Sequence, residues 1–130
     1  MSKVRTQANV VDSVTLIGDI KGKTCVIVDD MIDTAGTLCA AATELKKQGA
    51  KEVYAFATHG IFSGPAGERI AKTDDLKKVI TTDTMPLDPK FKQTVGDKHV
   101  QVSVDLLLAE IIRRIHLQED TAELLTVPVY

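Results

Sequence analysis

An uninterrupted apolar run in this sequence leads, through a short turn, into a helical pattern. The stretch "KTCVIVDD", which ends in Asp29 and Asp30, lacks polar alternation, as a strand covered on both faces does. It is followed by "AGTLCAAATELKKQ", an Ala-rich stretch with Lys46 and Lys47 near its end and Gly49 just beyond it, which predicts a helix. A strand, a turn and a helix in this order predict an α/β fold, because parallel strands are joined by helical crossovers.

The rest of the chain continues this alternation. Strands are predicted in "SVTLIG", "EVYAFAT", "KKVITTD" and "HVQVSV". A short helix is predicted in "FSGPAGERIA", with Ser63 as N-cap and Pro65 in the first turn. The segment "MPLDPKFKQTVGDK" contains two prolines and many polar residues, which predicts a loop. The predicted architecture is a mostly parallel sheet with helices on both faces.

The last predicted helix begins near Ser103 and is amphipathic. Its apolar residues recur at helical spacing and gather on one face, which predicts that this face belongs to the core. The residues concerned are Leu107, Leu108, Ile111, Ile112 and Ile115.

Length and composition indicate one domain and exclude several classes of partner. The chain has 130 residues, 44% of them hydrophobic, which suits one compact domain with a core. The formal charge of -2 does not favour binding to nucleic acid or to acidic membranes. Cys25 and Cys39 lie among apolar residues and are expected to be reduced thiols. With no signal peptide and no apolar run of spanning length, a soluble, cytoplasmic protein is expected.

The turn between the apolar strand and the first helix has the composition of a phosphate-binding loop. Ala35 and Gly36 allow an anion to approach the backbone, and Thr34 and Thr37 add hydroxyl donors at a helix N-terminus. The lysine and the spacing of the common nucleotide P-loop are absent from this motif. A phosphate loop fits the carboxyl edge of a parallel sheet, where ligands bind.

Asp29 and Asp30 would repel an anion, so they are expected to face a different part of the ligand. Carboxylates accept hydrogen bonds from vicinal hydroxyls and hold the water shell of Mg²⁺. A phosphorylated sugar would satisfy both the acids and the turn. The alternative is that Asp33 or Thr34 caps the helix and the acids are solvated turn residues.

The stretch "VIVDDMIDTAGT" resembles the phosphoribosyl diphosphate (PRPP) binding motif of type I phosphoribosyltransferases and of ribose-phosphate pyrophosphokinases, the PRPP synthetases. Three further segments, "KVRTQANVVD", "THGIFSGPA" and "LLAEIIRRIH", resemble the C-terminal domain of the synthetases. The resemblance covers nearly the whole chain. It implies a twisted, type I phosphoribosyltransferase-like sheet.

The resemblance also implies roles for individual residues. Asp29 and Asp30 would contact the ribose hydroxyls, and Lys3 and Arg5 would be the catalytic pair of a mobile loop. No residue is assigned as a direct metal ligand; by their chemistry, Asp29 and Asp30 can hold Mg²⁺ through water. The ribose 5-phosphate loop would be formed by Asp33, Thr34, Ala35, Gly36 and Thr37. No role is implied for His59 or for residues 81–84.

By the same resemblance, residues 1–130 would be the C-terminal domain of a PRPP synthetase, without its ATP-binding N-terminal half. The complete enzyme uses ribose 5-phosphate, ATP and Mg²⁺, makes PRPP and AMP, and is a homo-oligomer, whereas this chain alone is expected to be inactive. The segment "EDTAELLTV" departs from the family's regulatory segment, so control by ADP and phosphate is in doubt. Two alternatives are a non-catalytic PRPP-synthetase-associated subunit and a base phosphoribosyltransferase. The intact acidic motif and the Lys3/Arg5 pair weigh against the former, and the latter would need a hood segment over the base.

Overall fold

The computed structural model describes residues 2–4, 13–15 and 18–125. Two short strands near the start, β1 (Ser2–Val4) and β2 (Ser13–Thr15), pair antiparallel with Lys3 opposite Val14. The strand predicted in "SVTLIG" is therefore present at its first three residues.

Within the described residues, the main sheet has four strands: β3 (Thr24–Ile32), β4 (Glu52–Gly60), β5 (Lys78–Thr82) and β6 (His99–Val102). Their spatial order is the order of the sequence, and all three neighbouring pairs are parallel. This arrangement confirms the α/β fold class. Because the strands are parallel, their carboxyl ends meet at one edge of the sheet.

Two predicted helices connect these strands. Helix α1 (Gly36–Lys47) ends as expected, with Gly49 at φ +95° just beyond it, where a left-handed conformation favours glycine. Helix α2 (Ala66–Lys72) has Pro65 at its N-cap position and no side-chain cap, so the prediction of Ser63 as a capping side chain was wrong. The core lies between these helices and one face of the sheet and includes Leu45, Val53 and Val79.

The opposite face of β3 is open in the described part of the chain. Val26 is 58% exposed and Val28 72% exposed. Val28 lies beside Phe56, which is also exposed, and Val100 and Val102 of β6 are exposed too. The prediction that β3 is covered on both faces was therefore wrong for these residues, because an apolar run does not reveal which element covers each side.

The segment predicted as a loop contains helix α3 (Pro89–Val95) and a 3₁₀ turn (Gly96–Lys98). The Asp88 carboxylate accepts the N–H of Lys90 at 2.8 Å, and Pro89 occupies the first turn. Phe91 and Val95 are buried one helical turn apart. The loop prediction was wrong because Asp followed by Pro is also a helix-start signal.

The last helix, α4 (Asp105–Leu117), begins two residues after the predicted start, and none of its residues is buried. Four of the five residues assigned to the core are 39–67% exposed, and Ile111 is half-buried. The core assignment was therefore wrong in the described chain. The polar face of α4 carries an ion-pair network. In it, hydrogen bonds from Arg113 and Arg114 lower the pKa of Glu110 to about 2.

An aromatic cluster closes the core beside the end of β4. The rings of Phe62 and Phe91 are stacked, with their centroids 4.0 Å apart, and the ring of His99 contacts both in an edge-on arrangement. Gly60 lies directly under the Phe62 ring, and a Cβ on Gly60 would overlap the Phe62 Cε2 atom. Gly60 is therefore required by packing rather than by backbone conformation.

Gly60→Ala is expected to lower the free energy of unfolding by about 1–3 kcal/mol, because the added methyl group must push the stacked ring out of place. Gly36→Ala is the control, since its Cβ would meet only the mobile end of Arg69, at 3.2 Å. Urea unfolding of both variants measures the difference. Equal midpoints for Gly60→Ala and the wild type would contradict this packing.

Candidate functional site

A cleft opens at the carboxyl end of β3, where the strand passes into α1. Its volume is about 350 Å³, and residues 29–38 line it. The cleft thus brings together Asp29, Asp30 and the 33–37 turn, which are all the residues predicted to bind ribose 5-phosphate.

The turn leads into the N-terminus of α1, which no side chain of the described residues caps. Ala35 is the N-cap residue, buried and at φ +57°, and α1 has no side-chain cap hydrogen bond and no acidic residue in its first turn. The alternative that Asp33 or Thr34 caps the helix is therefore wrong. A left-handed conformation costs a non-glycine residue about 1–2 kcal/mol, and such a cost is found at ligand-binding turns. The first N–H groups of α1 are left for an external acceptor.

The two acids near the strand end are exposed, and in the described part of the chain each carboxylate accepts a hydrogen bond only from the backbone N–H of the next residue. Asp29 Oδ1 accepts the N–H of Asp30 at 3.0 Å, and Asp30 Oδ1 accepts the N–H of Met31 at 2.8 Å. Among the described residues, no lysine or arginine forms an ion pair with Asp29, Asp30 or Asp33. The second carboxylate oxygen of each strand-end acid is therefore open to a hydroxyl group or to a hydrated cation.

A cation would need further ligands here. No group of three or more His, Cys, Asp or Glu side chains with metal-binding geometry occurs in the described part of the chain. Mg²⁺ does not require one, because it is commonly held by one or two carboxylates together with waters and substrate phosphates. Asp29 and Asp30 fit that mode.

Arg69, which the sequence patterns did not single out, reaches the turn from α2. Its Nη1 atom donates a hydrogen bond to the carbonyl oxygen of Thr34 at 2.9 Å. The same atom would lie 3.2 Å from a Cβ on Gly36. The contact joins residues 35 positions apart, so no local motif could have revealed it.

His59 and residues 81–84 form a hydrogen-bonded network at the same edge of the sheet. His59 Nδ1 lies 2.9 Å from the hydroxyl of Thr84, and the hydroxyls of Thr82 and Thr84 both donate to the carbonyl oxygen of Thr58, at 2.6 and 3.1 Å. Thr81 is buried and bonds to His99 Nε2 at 2.9 Å, and burial lowers the pKa of His99. These contacts tie β4 to β5 and β6 and give the segment a structural role.

Asp83 connects the same segment to α4. Its carboxylate accepts hydrogen bonds from the hydroxyl of Ser103 at 2.5 Å and from the N–H of Val104 at 3.0 Å. These bonds lower the pKa of Asp83. The turn after β5 thus fixes the start of the last helix.

The side chains of the predicted catalytic pair lie outside what the structure describes. The backbone of Lys3 lies in β1, and Arg5 is outside the described residues. Their assignment as catalytic residues stays a prediction.

Among the described residues, no helix has the length and apolar character required to cross a membrane.

Comparisons with known proteins identify the family to which the chain belongs. A family profile described as "Phosphoribosyl synthetase-associated domain" matches residues 4–126. A ribose-phosphate pyrophosphokinase from Pasteurella multocida (strain Pm70) is 46% identical over 126 residues, which are 97% of this chain and 39% of that protein. One from Vibrio cholerae serotype O1 is 50% identical over 119 residues, which are 92% of this chain and 37% of that protein.

The fold also matches a solved structure. The crystal structure of phosphoribosylpyrophosphate synthetase from Mycobacterium smegmatis superposes with a TM-score of 0.72 at 40% identity, covering 78% of this chain and 33% of that one. The chain thus spans less than two fifths of the length of these relatives. The matched profile covers nearly all of it, and the chain belongs to the phosphoribosyl synthetase-associated domain family.

Proposed function

We propose that this chain is the C-terminal, ribose 5-phosphate-binding part of a ribose-phosphate pyrophosphokinase. The observation that supports the proposal is that one cleft contains a helix N-terminus without a capping side chain and two carboxylates without an ion-pair partner, as far as the described residues show. The named relatives favour this function over that of a base phosphoribosyltransferase.

The proposed reaction transfers the β,γ-diphosphoryl group of ATP to ribose 5-phosphate. The C1 hydroxyl oxygen forms a bond to the β-phosphorus, the bond from that phosphorus to the oxygen of the α-phosphate breaks, and PRPP, AMP and the hydroxyl proton result. Mg²⁺, when bound, neutralises charge on the polyphosphate. Such transfers depend mostly on alignment and charge stabilisation.

The residues of the cleft would hold the sugar rather than the transferring group. Residues 33–37 would bind the 5-phosphate with their N–H and hydroxyl groups, and Asp29 and Asp30 would accept hydrogen bonds from the 2- and 3-hydroxyls. The sugar is thereby fixed at both ends, so C1 has a defined position. Lys3 and Arg5 would supply positive charge to the transition state.

For the complete protein, we propose that ATP and PRPP are the other ligands and that Mg²⁺ is the cofactor. The complete protein would be a homo-oligomer in the cytoplasm. The description of the matched family is also compatible with a second function, that of a non-catalytic PRPP-synthetase-associated subunit. Such a subunit would bind the sugar phosphate without supporting transfer in any complemented assembly.

The double variant Asp29→Asn, Asp30→Asn tests the sugar half of the site. Each local hydrogen bond of these acids uses one side-chain oxygen, which asparagine retains, so the fold should be unchanged. Affinity for ribose 5-phosphate should fall at least roughly tenfold, because charge-assisted bonds to the hydroxyls are lost. Affinity for inorganic phosphate should hold or rise, because repulsion is removed. Calorimetric titration with each ligand, with and without Mg²⁺, measures both.

Asp19→Asn is the matched control, because Asp19 makes the same kind of local bond, to the N–H of Lys21 at 3.0 Å, but is not among the cleft residues. It should bind both ligands like the wild type. Unchanged ribose 5-phosphate affinity in the double variant would show that the two acids are solvated turn residues.

A further inference from the structure

The side chains that line the cleft carry negative charge and no positive charge that could balance a bound phosphate. Residues 29–38 contribute three carboxylates and no lysine or arginine. Unpaired N–H groups and the helix dipole attract an anion, but the dipole amounts to only about half an elementary charge. A doubly charged phosphate next to three carboxylates therefore needs a full positive charge nearby.

Arg69 is positioned to provide that charge. Its guanidinium donates to the Thr34 carbonyl oxygen and lies beside Gly36, the first residue of α1. A guanidinium has five N–H donors, and this bond to Thr34 is the one side-chain hydrogen bond of Arg69 in the described chain. The neighbouring acid, Glu68, pairs instead with Lys72 at 3.5 Å.

The backbone that carries Arg69 is fixed. Ile70, the next residue, is fully buried, and so is Ala66 at the start of α2. The N–H of Arg69 donates to the carbonyl oxygen of Pro65 at 3.0 Å, and its carbonyl oxygen accepts the hydroxyl of Thr73 at 2.7 Å. Only the side chain is free to adjust, and its tie to Thr34 keeps the charge at the turn.

We infer that Arg69 supplies the positive charge of the phosphate subsite at residues 33–37 and is held there by the Thr34 carbonyl. The inference rests on the proposed function, in that it concerns the same sugar-phosphate site. It explains how a phosphate binds in a cleft rich in carboxylates.

The test is calorimetric titration of the 130-residue chain and its variants with ribose 5-phosphate and, separately, with inorganic phosphate. R69A should bind both ligands roughly ten- to a hundredfold more weakly, the range for loss of a charged hydrogen-bonding partner. High salt should weaken wild-type binding more than R69A binding, because salt screens a charge that the variant lacks. K72A is the control: it removes the same charge from the same helix and should bind like the wild type.

R69K and R69Q separate charge from folding, since both retain a donor for the Thr34 carbonyl but only lysine is charged. R69K should bind phosphate more tightly than R69Q, and thermal melting shows that both are folded. Equal affinities of R69K and R69Q, or wild-type affinity in R69A, would overturn this inference alone. A wild-type chain that binds neither ligand would remove the proposed function and the inference with it.

Discussion

Gly36→Val is expected to abolish binding of ribose 5-phosphate and of inorganic phosphate, with a loss of at least roughly a hundredfold in affinity. A side chain at this position projects toward the Arg69 guanidinium, 3.2 Å from the Cβ position. Valine would displace that charge and crowd the N–H groups that start α1. Several charge-assisted contacts are lost together, which is why the effect is large.

The loss in Gly36→Val should come without unfolding. Gly36 does not have a positive φ, and valine is a better helix residue than glycine. Ala40→Val, on an exposed position of the same helix, adds the same branched side chain away from the turn. Calorimetry should show wild-type binding in Ala40→Val and none in Gly36→Val. Wild-type affinity in Gly36→Val would mean that the anion binds elsewhere.

The 130-residue chain alone is expected to bind ribose 5-phosphate and yet to release AMP from ATP at a rate about five orders of magnitude or more below that of a complete synthetase. Aligning the β-phosphorus with the sugar hydroxyl accounts for rate factors of this size. The described cleft is lined by residues 29–38 alone and holds three carboxylates, which do not suit a triphosphate.

Complementation provides the control for this prediction. The chain is mixed with ATP, Mg²⁺ and ribose 5-phosphate, first alone and then with the separately expressed part of a ribose-phosphate pyrophosphokinase that it does not match. Activity is expected only in the mixture. Stoichiometric AMP and PRPP from the lone chain would contradict the assignment, whereas a mixture that binds ribose 5-phosphate but stays inactive would favour the non-catalytic subunit.

The cleft was predictable because its residues are contiguous in the sequence. Asp29 and Asp30 lie near the end of β3 and Gly36 begins α1. Residues that are neighbours along the chain stay neighbours in such a strand–turn–helix unit, whatever surrounds it. The same local logic predicted where the main strands lie along the chain. The contact of Arg69 with Thr34 was not predictable from local sequence, because it depends on how α2 packs against α1.

The predictions for α4 and α3 were wrong because they, too, depended on tertiary contacts that a local sequence pattern does not reveal. The spacing of Leu107 and Ile115 shows that α4 is amphipathic, but periodicity does not identify what its apolar face meets, and in the described chain that face is exposed. For α3, the helix-start signal of Asp88 and Pro89 was outweighed by the polar composition of the segment. Its stabilising contact is tertiary, the stacking of Phe91 on Phe62.

A ¹⁵N NMR titration of the chain with ribose 5-phosphate tests the claim that the cleft at residues 29–38 holds the sugar phosphate. The claim predicts that the largest amide shifts fall on residues 33–38 and on the strand end at residues 29–31, and that inorganic phosphate reproduces only the shifts at the turn. Shifts that cluster outside residues 29–38, or no shifts at ligand concentrations that saturate a complete synthetase, would contradict the claim that this cleft holds the sugar phosphate.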